Sequence, residues 1–257
     1  MHIFIVKKKT IIRAAVFLLL VVGAIVYTQV AMGEAAPAVS ESDTMPICRV
    51  AAEGKTVAIT IDTAFGDKDY SNEILKTLKD ESVHATFFVM GLWMSENPEA
   101  VDAMAKDGHE IASHSMNHTR YTEMTADEIL KDANDAAQMI FDKTGYDTRV
   151  IRMPYGAFDS ASITALESEG YIPVKWSLDA KDWKGADAQR IADDVLAKVN
   201  SGDIIMFQNN MAATPEALRA VILGLREQGF EIKTVSDLLL DGDYVVDATG
   251  TQRYFED

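Results

Sequence analysis

Between residues 56 and 240 short, mostly apolar runs alternate with stretches whose apolar positions recur at a period near 3.6. Short, β-branched or aromatic, mostly apolar runs occur at 57–62, 84–89, 110–114, 149–153, 171–177, 203–207 and 230–234. Runs of that length and composition suit strands covered on both faces. Helical stripes fall between them: Ile74, Leu75 and Leu78 form one, and Ile129, Leu130, Ala133, Ala137, Ile140 and Phe141 another. Thr125 with Glu128 reads as a capping box, and Thr214 before Pro215 as an N-cap followed by proline at the first helical position. Gly145, Gly170 and Gly229 stand where helices end. Strand and helix alternate about seven times without an internal repeat, which predicts a parallel α/β fold, either a barrel or an open doubly wound sheet. In both, ligands bind beyond the carboxyl ends of the strands.

The termini read differently. Lys7, Lys8, Lys9 and Arg13 precede an apolar run over 14–27 that Thr28 and Gln29 dilute. This is the layout of a secretory signal peptide or an N-terminal membrane anchor over 1–33, with the remainder outside the cytoplasm. An uncleaved leader would tie the protein to the membrane. Residues 34–55, rich in Ala, Ser and Pro, read as a linker, 56–240 as the functional domain, and 241–257 as an acidic surface tail. The formal net charge is -16, and no basic cluster lies beyond the leader, which argues against nucleic acid as a partner. Cys48 is the only cysteine, so an internal disulfide framework and a cysteine-rich zinc site are excluded.

Candidate chemistry gathers at the strand ends. His114 and His118 are four apart, a spacing that places two imidazoles on one face of a helical turn, within reach of one divalent cation. A pair of core-edge histidines held by hydrogen bonds is the competing reading. Asp62, His114, His118, Arg152, Asp179 and Gln208 all fall at or just past an expected strand end. That convergence on one face of the fold marks a candidate active site.

Five ordered motifs resemble those of the polysaccharide deacetylases, the NodB-homology group or carbohydrate esterase family four. They are Thr60-Ile61-Asp62-Thr63, His114-Ser115-Met116-Asn117-His118, Arg152-Met153-Pro154-Tyr155-Gly156, the stretch from Trp176 to Trp183 with Asp179 and Asp182 inside it, and Ile204-Ile205-Met206-Phe207-Gln208. The chain is most similar to the sporulation-type branch. The resemblance implies a distorted (β/α) barrel of about seven parallel strands and metal-dependent hydrolysis of N-acetyl groups on a cell-wall glycan, most of all peptidoglycan. His114 and His118 would hold a divalent metal, zinc first, with cobalt, nickel or manganese as alternatives. Asp62 would be the base. Arg152 would pair with Asp179 and so orient Asp62, the Tyr155 N–H would bind the oxyanion, and Trp183 would wall the acetyl pocket.

Two positions depart from the family pattern. Thr63 stands where the family has an aspartate that ligates the metal, with Asp67 the one nearby carboxylate that could reach in. Gln208 stands where the family has its general-acid histidine, and an amide cannot donate a proton near neutral pH. These departures predict weak activity, or the alternative of a catalytically silent glycan-binding module on a deacetylase scaffold. An unrelated metal-free hydrolase is disfavoured by the lack of a Gly-x-Ser-x-Gly elbow and by the place of Cys48 outside the expected barrel.

Overall fold

Each of the seven apolar runs falls on a strand. The computed structural model describes residues 44–255, so the leader and the first part of the linker, through residue 43, lie outside the described residues, as do the last two positions. In chain order the elements are β1 (Arg49–Val50), β2 (Thr56–Asp62), α1 (Ser71–Asp80), β3 (Thr86–Val89), α2 (Gly91–Glu96), α3 (Pro98–Lys106), β4 (Glu110–Ser113) and α4 (Ala126–Thr144). They continue with β5 (Val150–Ile151), α5 (Ser160–Ser168), β6 (Ile172–Pro173), β7 (Leu178–Asp179), α6 (Ala188–Leu196), β8 (Ile204–Gln208), α7 (Thr214–Glu227), β9 (Glu231–Lys233), α8 (Val235–Leu238), β10 (Tyr244–Val246) and β11 (Thr251–Tyr254). No helix among the described residues is long and apolar enough to cross a membrane.

The main sheet runs β6-β5-β4-β3-β2-β8-β7, with β9 pairing to the start of β2. Its pairs are all parallel. The sheet curls into an incomplete (β/α) barrel, the architecture the resemblance implied. Period-two alternation sorts the two faces of β2. Val57, Ile59 and Ile61 pack outward into one core with Ile74 and Leu78 of α1, Ile191 and Val195 of α6, and Leu218, Val221 and Ile222 of α7. Each such aliphatic, removed from water, contributes roughly 2 kcal/mol. Ala58 turns inward with Phe88, Ala112, Val150 and Ile204, and by the same alternation so do Thr60 and Asp62. The inner face thus carries the polar residues.

The helix signals hold with one exception. Thr125 and Glu128 close a capping box on α4, and Gly145 ends that helix at a φ of 76°. Thr214 is not an N-cap. It is the first residue of α7, and Ala213 takes the cap position without a side-chain bond.

The ends of the domain differ from the linker and tail expected. Ile47 and Val50 are buried. Ile47 bridges Val174 in parallel, and Arg49 bridges Asp203 in antiparallel sense. The segment therefore stitches the seam between β6 and the start of β8. The acidic tail forms β10 and β11, and β11 pairs with β1 to make a second, three-stranded sheet. The two segments satisfy each other's backbone groups, a pairing between chain ends that local composition does not carry.

Candidate active site

Asp62 closes β2, Gln208 closes β8 and Asp179 closes β7, while His114 and Arg152 are the first residues past β4 and β5. His118, Tyr155 and Trp183 lie on the loops that follow. The carboxyl-end face holds every residue singled out in the sequence, as strand connectivity requires.

Arg152 is fully buried and reaches across the inner face of the sheet to Asp62. Its Nη1 donates to Asp62 Oδ1 at 2.5 Å and to Thr60 Oγ1 at 2.9 Å, and its Nη2 donates to the Lys175 carbonyl at 2.6 Å. The Phe88 ring lies 3.8 Å from its guanidinium carbon. Burial lowers the Arg152 pKa and the Asp62 charge opposes that, so the group stays cationic. The expected Arg152–Asp179 pair is not formed. Arg152 binds Asp62 directly because alternation on β2 aims Asp62 and Thr60 into the curl. Asp179 instead accepts from the Lys181 N–H at 2.7 Å and from Trp183 Nε1 at 3.4 Å.

The two histidines meet, though not on a helical turn. Residues 114–118 form an irregular loop in which Ser115 and His118 have φ of 66° and 57°. The Ser115 hydroxyl accepts from the His118 N–H at 2.8 Å and locks the reversal. His114 Nδ1 lies 2.7 Å from the Arg152 carbonyl, which assigns the proton to Nδ1 and leaves Nε2 a lone pair. The two Nε2 atoms are 3.2 Å apart. Burial pushes the His114 pKa down, with Asp62 working against it. Burial and then the neighbouring His114 push His118 to about 4. Both rings are neutral at pH 7. Two ligands about 2.0–2.1 Å from a tetrahedral zinc are separated by about 3.3–3.4 Å, so this pair fits a shared ion. No group of three or more His, Cys, Asp or Glu side chains suited to a metal occurs among the described residues.

Tyr155 is exposed and stands in the left-handed region at φ 62°, ψ 6°, a conformation a tyrosine takes only when its surroundings impose it. Its ring centroid is 4.4 Å from that of His118. Trp183 is also exposed.

Sequence reading picked Asp179 from the fourth motif, yet Asp182 is the buried carboxylate there. Its Oδ2 accepts from the Gln208 N–H at 2.9 Å and from the Thr214 hydroxyl at 2.6 Å. Burial raises its pKa, partly offset by these bonds. The motif contained both aspartates, and only the backbone turn decides which faces inward. The Gln208 side chain makes no hydrogen bond among the described residues.

Thr63 and Asn209 hold the loop beside the site. Thr63 Oγ1 accepts from the Met90 N–H at 3.1 Å, so its hydroxyl serves the backbone. Asp67 is exposed, and Asp69 does the anchoring instead, accepting from Trp93 Nε1 at 2.7 Å and Asn209 Nδ2 at 2.9 Å. The Asn209 N–H donates to the Asp62 carbonyl at 3.1 Å, and its Oδ1 accepts from the Ala64 N–H at 2.8 Å. Asn209 thereby ties the loop to the end of the strand that carries Asp62, a role with no signature in sequence.

Comparison with known proteins places the chain among the carbohydrate de-N-acetylases, hydrolases of linear amide bonds. Residues 49–174 match the polysaccharide deacetylase family. The chain belongs to that family, the NodB-homology group or carbohydrate esterase family four. A peptidoglycan-N-acetylglucosamine deacetylase of Bacillus cereus is 33% identical over 190 residues, covering 72% of this chain and 88% of that protein. An uncharacterised 30.6 kDa protein of Geobacillus stearothermophilus is 32% identical, covering 73% of this chain and 72% of its own length. Among solved structures, Bacillus subtilis PdaA, a family 4 carbohydrate esterase, superposes with a TM-score of 0.70 at 27% identity, covering 75% of this chain and 84% of that one. A pseudoenzyme of the same esterase family from Bacillus anthracis superposes with a TM-score of 0.71 at 29% identity, covering 76% and 68%.

Proposed function

We propose that this protein removes N-acetyl groups from a cell-wall glycan, peptidoglycan first, outside the cytoplasm, using a divalent metal held by His114 and His118. The observation that carries the reading is the facing pair of Nε2 atoms 3.2 Å apart beside a carboxylate fixed by a buried arginine. A zinc, cobalt, nickel or manganese ion there would polarise the amide carbonyl and acidify a water.

Asp62 accepts the proton of the attacking water. Arg152 holds that carboxylate in one orientation and balances its charge. The Tyr155 N–H donates to the oxyanion as the carbonyl carbon becomes tetrahedral, and Trp183 walls the acetyl group. The C–N bond then breaks to give acetate and a free amine, and the amine must take a proton. The Gln208 amide hydrogen-bonds the departing nitrogen without supplying that proton, so Asp62 returns the one it took. The expected result is slow turnover.

The test is acetate release from peptidoglycan fragments and from chitooligomers, with each metal added to protein stripped by chelation. Release that depends on metal and disappears in Asp62→Asn supports the reading. A folded protein that releases no acetate with any of the metals refutes it.

A second reading, a silent glycan-binding module, draws on Thr63, whose hydroxyl is committed to Met90, and on Gln208. It predicts glycan binding by calorimetry that is unchanged by metal, with no hydrolysis.

A further inference from the structure

A buried carboxylate outside the five motifs underlies the histidine loop. Asp132 lies on the buried face of α4, and no step of the proposed chemistry uses it. Its Oδ1 accepts from the Met116 N–H at 3.1 Å and from the Tyr121 hydroxyl at 2.7 Å. The Asn117 N–H adds a third bond. Burial raises the Asp132 pKa, and these three donors oppose the rise. The carboxylate is therefore bonded to two amides of the loop between the histidines and to one buried phenol.

The other side of the loop is held by α2. The Gly91 N–H donates to the Ser115 carbonyl at 2.9 Å, and the Leu92 N–H to the Met116 carbonyl at 3.0 Å. A Cβ on Gly91 would come 2.3 Å from Met116 Sδ, so helix and loop are in close contact. The loop needs such a clamp. Ser115 and His118 stand at positive φ, which residues other than glycine keep only when their surroundings impose it. His114 has a further anchor in the Arg152 carbonyl. The His118 ring has His114 Nε2 as its one hydrogen-bond contact among the described residues, so the loop backbone decides where that ring sits.

We propose that Asp132, braced by Tyr121, is a positioning residue that keeps His118 at the separation from His114 that one divalent cation requires. The inference rests on the metal-dependent reading and assigns part of the metal affinity to a side chain that touches neither the ion nor the substrate. Groups that orient ligands from behind set metal affinity along with the ligands themselves.

The test is titration of zinc, cobalt, nickel and manganese into the full chain in competition with a chelator, with the cobalt absorption spectrum as a second readout. Asp132→Ala strands the Met116 and Asn117 N–H groups. It should weaken metal binding by about 10- to 100-fold, the range for losing an outer partner of the ligands, and shift the cobalt bands. Asp132→Asn keeps a carbonyl acceptor and should recover most of the loss. Tyr121→Phe should weaken binding several-fold, and it carries the test if Asp132→Ala does not fold. Gly202→Ala, at the start of β8 and away from the site, should leave metal affinity unchanged. Parent-like affinity in folded Asp132→Ala, or in Tyr121→Phe where the first variant does not fold, would overturn the proposal. So would an equal loss of affinity in Gly202→Ala. Either result leaves the metal-dependent reading standing, whereas a parent that binds none of the four metals removes that reading and this proposal with it.

Discussion

Asp62 and Gln208 are register partners on adjacent parallel strands, so an amide stands directly beside the proposed base. A buried carboxylate, Asp182, already accepts from the Gln208 backbone. Replacing Gln208 with histidine adds a group that can protonate the leaving nitrogen. Gln208→His is expected to raise kcat by about 10² or more, within the range a general acid contributes. Steady-state acetate release on one glycan, with KM followed separately, checks this. A rise in binding alone would place residue 208 in recognition and not in proton transfer.

Removing Asp62 should also cost stability. Arg152 is fully buried and Asp62 is its one carboxylate partner. Asp62→Ala strands a cation among Phe88, Thr60 and a carbonyl. The expected loss is about 3 kcal/mol, the scale for breaking a buried pair from one side. Urea unfolding with an unchanged m-value measures it. Arg152→Met in the same background should recover part of the loss.

His109 makes the fold sensitive to acid. It is buried, its Nδ1 accepts from the Ala85 N–H at 3.2 Å, and its Nε2 has no partner. Burial, followed by the nearby His84, lowers its pKa from 6.5 to about 4. Between these values the unfolded chain binds more protons than the folded one, so stability falls as the pH drops from 6.5 toward 4 and levels off below. The His109 contribution to that loss is about 3 kcal/mol. Melting curves of the parent and of His109→Asn across this window should show a flatter profile for the variant.

The seam stitched by the N-terminal segment depends on one glycine. Gly202 has φ +79°, and a Cβ there would sit 1.7 Å from the Val50 carbonyl oxygen. Val50 in turn donates its N–H to the Gly202 carbonyl at 3.0 Å. Gly202→Ala should displace β1, with a loss of about 2 kcal/mol or more. Faster proteolysis near Arg49 and a lower Tm would confirm it.

Much of this arrangement was legible before any coordinates. The seven strands, the α4 capping box and the gathering of Asp62, His114, His118, Arg152, Asp179 and Gln208 on one face follow from apolar patterning and from the rule that binding loops leave strand ends, whereas Tyr155 and Trp183 were marked only by the family resemblance. β7 was missed because two residues carry no period. Thr214 was misjudged because its hydroxyl finds Asp182, a partner far away in the chain.

Sequence alone therefore settles what depends on neighbours within a turn or two: strand and helix alternation, which end of each strand carries chemistry, and which residue types are present to do it. Tertiary structure alone decides which side chains pair. It joins Arg152 to Asp62 instead of Asp179, turns Asp182 inward, and makes Thr63 serve Met90. Curling of the sheet brings distant strand ends together, and side-chain contacts act over a few ångströms however far apart the residues lie in the chain.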